Sequence, residues 1–369
     1  MKILVIGGTG AIGVPLVNML ADGGNTVYVT SRSERQSQNN IYFIKGNGQD
    51  PDFIRDLIRN KHYDVIVDFM VRTYENLDEL INDFLSSTLQ YVFISSARVY
   101  AESDRPITES TPRLLDVSTD EEYLRTNEYA LAKAREENLL FKSKSQNFTI
   151  IRPSITYNNH RLQLGVFEKE DWLFRALKKR TIVFSNDLRD KVTTMTHGDD
   201  VAKGIYAIIG QEDALGKAFH ITSPYSLTWD NVLNIYKETL EKELGYQIKV
   251  LYTDKSTNFL IPGKKYQLVY CRYFNRSFDN SAIGQFVDIN SFQTPESGLK
   301  NCLENFLKNQ KFNNLNSRLE AIHDCLTGER TPITQFPNLY SKVIYFLLRN
   351  KLGFMISPLS KLAKFIKIK

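Results

Sequence analysis

The feature that most constrains this chain is a glycine-rich turn directly after its first apolar run. Residues Lys2–Ile6 precede Gly-Gly-Thr-Gly-Ala-Ile-Gly at positions 7–13, and a helical pattern begins at Val14. Glycine permits a tight strand-to-helix turn and lets the backbone approach a pyrophosphate, whose charge then lies at the helix N-terminus. The turn therefore predicts a dinucleotide-binding βαβ unit. Its predicted contact residues are Gly7, Thr9, Gly10, Ala11, Ile12 and Gly13.

Short apolar runs alternate with helical patterns through the first part of the chain. Strands are predicted at Lys2–Ile6, Asn25–Thr30, Ile41–Lys45, Asp64–Phe69, Gln90–Ser95 and Phe148–Arg152. Helices are predicted at Val14–Ala21, Asp52–Arg59, Asn76–Leu85 and Asp120–Lys142. Strands that are apolar throughout are typical of a parallel sheet covered on both faces. We expect an α/β fold with a Rossmann-like doubly wound parallel sheet.

The alternation breaks after about residue 157, and the later segments predict a smaller C-terminal α/β lobe. That lobe is expected to contain helices at Lys169–Lys178 and Thr228–Leu244 and a strand at Thr181–Phe184, with no element assigned over Asn258–Ser277. The predicted domains are a mainly dinucleotide-binding domain (1–157), a mainly substrate-binding lobe interleaved with it (158–330), and a basic helical tail (331–369).

Charge and cysteine content narrow the functional class. Residues 331–369 carry seven Lys and Arg and no Asp or Glu, and the remainder is near neutral, which argues against a nucleic-acid-binding body. Three widely spaced cysteines fit neither a disulfide framework nor a metal site. The first residues resemble a strand and not a secretory signal, and no apolar run reaches the ~20 residues of a membrane span. We expect a cytoplasmic protein with no metal.

Two further motifs carry candidate catalytic groups. Tyr129 and Lys133 are spaced i and i+4, which places them on one helix face, where a cation favours the phenolate form of a tyrosine. Such a tyrosine can exchange a proton with a carbonyl or hydroxyl oxygen. The fifth strand ends in Ser95-Ser96, and this places a hydroxyl at the sheet edge where open α/β sheets bind ligands. The alternatives are a surface Tyr/Lys pair and serines that merely cap the strand.

Together these motifs resemble the extended short-chain dehydrogenase/reductases, in particular the nucleotide-sugar epimerase/dehydratase family. The segment Ser-Ser-Ala-Arg-Val-Tyr at 95–100 is similar to the family's SSxxVY signature, which implies that Ser96 is the catalytic hydroxyl. The segments at 151–157 and 187–202 resemble its LRPxNVYG and RDFxHVDDVA segments. The resemblance covers about residues 1–310 and implies that Arg189 holds the substrate's pyrophosphate.

The chain departs from the family pattern at several site positions. Asn47 stands where Asp is usual after the third strand, and its amide can still bind an adenine edge. Asp68-Phe69-Met70-Val71 replaces HLAA; the resemblance places Phe69 beside the nicotinamide, and the change is expected to reshape the sugar pocket. Ala97 and Arg98 replace the acid pair of the 4,6-dehydratases, which argues against 4,6-dehydration.

The end of the second strand bears on the choice of cofactor. Relatives specific for NAD place an acid there to bind the ribose 2′-hydroxyl. This chain has Ser31 and Arg32, and a guanidinium is suited to a phosphate. The sequence therefore favours NADP(H) over NAD(H), and the alternative is that Arg32 is a solvated loop residue.

These observations predict an NAD(P)-dependent reductase that acts on a keto nucleotide sugar, at C4 of an NDP-hexose, in surface polysaccharide biosynthesis. In this hypothesis Tyr129 is the general acid/base, Lys133 tunes it and holds the nicotinamide ribose, and Ser96 orients the substrate oxygen. One alternative is a nucleotide-sugar 4-epimerase with retained NAD. Another is a non-catalytic relative that binds cofactor or associates with RNA.

The basic tail lies beyond the family resemblance. Helices are predicted at Leu339–Leu352 and Leu359–Ile368, and the second has an apolar stripe flanked by lysines. A basic amphipathic helix without acids suits an anionic membrane surface, so residues 338–369 predict a peripheral contact at the inner membrane face. The alternative is that these helices dock on the protein body or form a homodimer contact.

Overall fold

The computed structural model describes residues 1–59, 61–259 and 263–356. Within these residues the strands are β1 Lys2–Ile6, β2 Thr26–Ser31, β3 Ile41–Lys45, β4 Tyr63–Asp68, β5 Thr88–Ile94, β6 Phe148–Pro153, β7 Thr156–Tyr157, β8 Ile182–Ser185, β9 Val192–Thr193, β10 Thr196–His197, β11 Lys217–Ile221, β12 Leu227–Thr228 and β13 Val250–Thr253. The α-helices are α1 Gly13–Asp22, α2 Pro51–Ile58, α3 Tyr74–Ser86, α4 Leu114–Val117, α5 Glu121–Leu124, α6 Tyr129–Phe141, α7 Lys169–Leu177, α8 Asn186–Arg189, α9 Gly198–Ile208, α10 Trp229–Leu244, α11 Lys265–Gln267, α12 Pro295–Lys308, α13 Ser317–Thr327 and α14 Leu339–Arg349.

The chain divides into two compact units, each made of separate stretches. The first unit comprises Met1–Asn158, Val192–Leu227 and Phe274–Gly298. The second comprises Asn159–Lys191, Thr228–Tyr273 and the described residues from Leu299 onward. The glycine-rich turn and the Tyr129/Lys133 motif lie in the first unit, and Arg189 lies in the second.

A parallel sheet forms the centre of the first unit, and its strands within the described residues are ordered β11-β6-β5-β4-β1-β2-β3. Consecutive residues of β1 face opposite sides of this sheet. Ile3 and Val5 pack in a core with residues of α1 and α9, whereas Leu4 and Ile6 pack in a core with residues of α2 and α3. All four are fully buried, which is why β1 is apolar throughout. The predicted doubly wound α/β architecture is confirmed.

The strand order reverses direction at β1, which pairs in parallel with both β2 and β4. Open α/β sheets bind ligands at such a switch point, outside the carboxyl ends of the strands. The glycine-rich turn follows β1 at this point, and Phe69 follows β4 there.

The prediction of one continuous helix over Asp120–Lys142 is wrong, because the chain is interrupted between α5 and α6. The Thr126 hydroxyl donates to a backbone carbonyl of the preceding turn. Glu128 is extended, and its carboxylate accepts the N–H of Ala130. Such side-chain bonds compete with helical ones and define a new helix start. Tyr129 is therefore the first residue of α6.

Helix α13 was not predicted from the sequence, and a buried ion network joins it to α7. Arg175 on α7 donates to Glu320 at 3.1 Å and to Asp324 at 2.9 Å, and all three side chains are buried. The hydroxyl of Tyr345 on α14 donates to Asp324 at 2.7 Å. Because an unpaired buried charge is costly, this network fixes the three helices together.

The tail agrees with prediction in part. Helix α14 begins at Leu339 as expected but ends at Arg349, and a 3₁₀ turn follows at Gly353–Met355. The predicted helix Leu359–Ile368 lies outside the described residues. Among the helices of the described ranges, none combines the length and hydropathy needed to cross a bilayer.

His323 on α13 is a buried titratable group in an aromatic environment. Its ring meets Phe167 edge-on at 5.1 Å, and within the described residues neither ring nitrogen has a hydrogen-bond partner. Burial, together with the charge of Arg175, lowers the pKa of His323 to about 3. The folded state therefore holds this imidazole neutral.

We predict that His323 makes the fold acid-sensitive. Because the folded-state pKa of His323 is lowered, the neutral ring contributes fully to the free energy of unfolding above the unfolded pKa of about 6.5. The contribution is lost as the pH falls below that value, by about 2 kcal/mol at pH ~5. The free energy of unfolding, measured with urea at pH ~7.5 and at pH ~5, should therefore fall by about 2 kcal/mol less in His323→Leu than in the wild type. An unchanged loss in the variant would contradict this account.

Candidate active site

The glycine-rich turn is built for close backbone approach. Gly7 has φ = 74°, a left-handed conformation that favours glycine, and its N–H donates to the Thr30 hydroxyl at 2.9 Å. Helix α1 begins at Gly13, and the preceding Ile12 gives no side-chain cap to the first N–H groups. The N–H of Val14 donates to the carbonyl of Gly10 at 3.1 Å, and Pro15 has no N–H. The groups suited to an anion are therefore the N–H groups of Ile12 and Gly13.

Three glycines of the site differ in what a Cβ atom would meet. At Gly13 it would lie 2.6–2.8 Å from the backbone of Gly8, so this glycine is needed for strand–helix packing. At Gly198, the first residue of α9, it would lie 2.4 Å from the carbonyl oxygen of Ala11. At Gly10 it would meet no atom of the described residues within 4 Å. The turn thus leaves an open cradle at Gly10, which fits the pyrophosphate of a dinucleotide. Sequence reasoning missed the support from Gly198.

The residues that follow β2, β3 and β4 complete the candidate cofactor site. Ser31 ends β2 and is buried, and Arg32 after it is exposed. Asn47 is exposed in the turn after β3, where its side-chain oxygen accepts the N–H of Gln49. Phe69 is half-buried after β4, and its N–H donates to the carbonyl of Ile6. Each therefore lies at the carboxyl end of its strand, as the sequence predicted for the cofactor contacts.

The hydroxyls of the two serines after β5 have different hydrogen-bond partners. Ser95 donates to the buried carboxylate of Glu137 at 2.6 Å. The oxygen of Ser96 accepts the N–H of Arg98 at 3.2 Å, and this bond does not use the Ser96 O–H proton. Of the two serines, Ser96 is therefore the one whose hydroxyl proton is left available, and its role as the catalytic hydroxyl stays a prediction.

Arg98 links the loop after β5 to the start of α6. Its guanidinium lies 5.3 Å from the centre of the Tyr129 ring and forms an ion pair with the helix-capping Glu128. Tyr129 is 36% exposed at the first position of α6. The cation thus contacts the Tyr129 ring and connects it to the loop that begins after Ser96. This cation beside Tyr129 was not predicted from the sequence.

Lys133 forms an ion pair with a carboxylate on its own helix. It is buried, and its Nζ donates to the Glu136 carboxylate at 2.8 Å and lies 4.5 Å from the centre of the Phe93 ring. Burial raises the pKa of Glu136, and the charge of Lys133 opposes that rise. The spacing of Lys133 and Glu136, i and i+3 on one helix, was visible in the sequence and could have indicated the pair.

The unusual Asp-Phe-Met-Val loop is held by a buried network. Asp68 accepts hydrogen bonds from Arg72 at 2.7 Å, from the Tyr91 hydroxyl at 3.0 Å and from the N–H of Met70 at 2.9 Å. Burial raises the pKa of Tyr91 well above its usual range, so its phenol remains a donor. The charge of Asp68 raises and that of Arg72 lowers the pKa of Glu136, which ties this loop to the Lys133 pair.

Arg189 lies in the second unit, at the end of α8. Its Nε donates to Asp230 at 2.7 Å, and its guanidinium lies 4.7 Å from the centre of the Tyr252 ring. The side chain is 40% exposed, so the remaining N–H groups of the guanidinium are accessible to water or to an anion.

Comparison with known families shows the family to which the chain belongs. The family described as "NAD dependent epimerase/dehydratase family" matches residues 3–222, well over half of the chain. The chain belongs to this family. The predicted extended short-chain dehydrogenase/reductase identity is therefore confirmed, and so is the expectation of an NAD-dependent enzyme of the epimerase/dehydratase type.

Solved structures with the same fold include enzymes of nucleotide-sugar metabolism. One is dTDP-glucose 4,6-dehydratase from Bacillus anthracis in complex with NAD (TM-score 0.62, 20% identity, 84% of this chain and 97% of that one). Another is UDP-glucuronic acid 4-epimerase from Bacillus cereus in complex with UDP-glucuronic acid and NAD (TM-score 0.60, 16% identity, 84% and 99%). At these identities the likeness establishes the fold.

A curated relative carries a name from a different functional class. The chloroplast stem-loop binding protein of 41 kDa b from Arabidopsis thaliana is 26% identical over 246 residues, which span 63% of this chain and 61% of the relative. Its name describes binding to a nucleic-acid stem-loop, and the match spans about three fifths of its length.

We predict that Gly10 and Gly13 respond differently to alanine. Gly10→Ala should leave the thermal stability unchanged, because nothing lies near the added methyl, but should weaken dinucleotide binding roughly tenfold or more, about 1.4 kcal/mol. Gly13→Ala should destabilise the fold by about 1–3 kcal/mol through overpacking. Calorimetric unfolding and fluorescence titration with NADH and NADPH measure both effects. Unchanged cofactor affinity in Gly10→Ala would exclude the turn as the pyrophosphate site.

Proposed function

We propose that this protein is an NAD(P)-dependent reductase of a keto nucleotide sugar, acting at C4 of a nucleoside-diphosphate hexose in surface polysaccharide biosynthesis in the cytoplasm. The observation that carries the proposal is the exposed Tyr129 at the start of α6. It lies in the same unit as the open glycine cradle and the available hydroxyl of Ser96. The first unit would hold the cofactor, and the second would supply substrate contacts.

The proposed chemistry assigns proton transfer to the protein. NAD(P)H, when bound, supplies the hydride of such a reduction. The Tyr129 hydroxyl donates a proton to the ketone oxygen as the C–O bond becomes that of an alcohol, and a proton from solvent then restores the tyrosine. Ser96 donates a hydrogen bond to the same oxygen. Lys133 lies one helical turn from Tyr129, with its Nζ held by Glu136. Its proposed role is to tune Tyr129 and to hold the nicotinamide ribose.

Two features support reduction over 4,6-dehydration. The positions after Ser96 are occupied by the buried Ala97 and by Arg98, whose charge is committed to Glu128. Neither can protonate a departing hydroxyl and remove a carbon-bound proton in the way that the acid pair of the 4,6-dehydratases does.

Arg189 is proposed to bind the diphosphate of the nucleotide sugar. Its Nε is held by Asp230, which fixes the plane of the guanidinium. The other two nitrogens then present N–H donors in a fork that matches phosphate oxygens. The ion pair thus positions the arginine without using all of its donors.

The proposed cofactor preference is for NADP(H) over NAD(H). Arg32 is exposed after β2, and the nearby acid Glu34 lies 3.8 Å from Lys45 at the end of β3. This edge of the site therefore offers guanidinium and hydroxyl groups in place of a carboxylate, an arrangement that suits a 2′-phosphate.

Two alternatives are separated by simple assays. A 4-epimerase with retained NAD would interconvert two nucleotide sugars without net consumption of NADPH. A stem-loop binding protein, which the name of the Arabidopsis relative suggests, would shift RNA hairpins in gels and leave 4-keto nucleotide sugars unchanged. Incubation of the full chain with NADPH and a panel of 4-keto nucleotide sugars tests the proposal directly.

Tyr129→Phe should lower turnover by ~10² to 10⁴, the usual share of general acid/base catalysis. Cofactor affinity should be retained, because the ring and its contact with Arg98 remain. Tyr42→Phe is the matched control: Tyr42 is 45% exposed, near the amino end of β3, and its loss of a hydroxyl should leave the rate unchanged. A near wild-type rate in Tyr129→Phe would overturn the mechanism.

Arg32→Ala should weaken NADPH binding selectively, because loss of a charge-assisted hydrogen bond costs about 1.5–3 kcal/mol. NADH affinity should be nearly unchanged. Arg35→Ala is the matched control, since that arginine lies three residues further along and packs on the Phe43 ring at 5.7 Å. Equal losses for both cofactors, or tighter binding of NADH by the wild type, would exclude the NADP(H) preference.

A further inference from the structure

Helix α14 has an apolar face on each side. One side is buried against the second unit and consists of Ile344, Tyr345 and Leu347. The opposite side is exposed and consists of Leu339 (76% exposed), Val343 (37%) and Phe346 (50%). The turn after the helix adds two more exposed apolar side chains, Phe354 (76%) and Met355 (39%).

The exposed side is not the side by which α14 packs on its own unit. Tyr345 donates to Asp324 at 2.7 Å, and its ring lies 4.8 Å from that of Phe336. These contacts fix the rotation of the helix about its axis and leave Leu339 and Phe346 in solvent. Scattered exposed apolar residues need no explanation, but here they share one helix face and the adjoining turn.

The charges around this exposed face indicate what kind of partner binds it. Residues 331–369 carry seven Lys and Arg and no Asp or Glu, and Lys342 and Lys351 lie within the described part of the tail. An anionic lipid surface complements an apolar face with a cationic flank. A symmetric dimer through the same face would bring identical cations together with no acid on this segment to compensate, which disfavours a second copy.

We propose that α14 and the turn at Gly353–Met355 form a peripheral contact with anionic membranes. Leu339, Phe346 and Phe354 enter the interfacial layer of the bilayer. Lys342 and Lys351, which lie in the described part of the tail, face lipid phosphates. This contact does not depend on the reaction proposed above.

Point substitutions test the proposal better than removal of the tail, because truncation before α14 would delete the buried Tyr345–Asp324 contact. The test variant is Leu339→Ser/Phe346→Ser/Phe354→Ser, which changes exposed side chains alone. The control is Leu89→Ser, at an apolar residue that is 62% exposed in the first unit. Full-length proteins are sedimented with vesicles of phosphatidylcholine, with and without phosphatidylglycerol, and their thermal unfolding is compared.

Wild type and Leu89→Ser should sediment with the anionic vesicles and not with phosphatidylcholine alone, and salt should weaken the binding. The triple variant should bind roughly tenfold more weakly or not at all, with unchanged thermal unfolding, because its apolar contact with lipid is lost. Absence of wild-type binding, or equal binding by the triple variant, overturns the proposal. A wild-type dimer that the triple variant converts to a monomer, without vesicle binding, assigns the face to self-association and also overturns it.

Discussion

The rest of the site depends on the close approach of backbones around the glycine-rich turn. Gly13 lies against Gly8 with no room for a methyl group, and Gly198 lies against the carbonyl of Ala11 in the same way. These contacts hold the starts of α1 and α9 against one turn at the end of β1. The open space at Gly10 exists because its neighbours are packed so tightly, and this combination distinguishes a cofactor cradle from an ordinary strand–helix turn.

Buried charge organises the adjacent edge of the sheet. Lys133 is held by Glu136, and Asp68 is held by Arg72 and Tyr91, all with little or no exposure to water. Charges in such surroundings persist where each has a partner, because an isolated buried ion is costly. The loop after β4 and helix α6 therefore each bury a charged pair at this edge of the sheet.

Membership of the NAD-dependent epimerase/dehydratase family and the similarity to a stem-loop binding protein are compatible, because function resides in sites and not in folds. Tyr129 is exposed beside the Arg98 guanidinium, and Ser96 keeps a hydroxyl proton that its bond to the Arg98 N–H does not use. The proposed reaction depends on these groups and not on the fold that carries them.

The sequence alone determined strands β1 to β6 of the central sheet, the dinucleotide turn and the identity of Tyr129 as the candidate acid, because these follow from apolar periodicity and from short motifs. Strand β11 of the same sheet was not predicted. Strand bounds were predicted within two residues. Local patterns could not show that Thr126 and Glu128 interrupt the helix before Tyr129, since a cap competes with helix formation only where the surrounding structure favours it.

Tertiary structure decided which groups meet across long sequence separations. It brought Gly198 to Ala11, Arg98 to Tyr129, and the acids of α13 to Arg175. It also decided which apolar face of α14 is buried, through the bond from Tyr345 to Asp324. A helical pattern marks the residues that can share a face, but the face that remains in water depends on partners elsewhere in the chain.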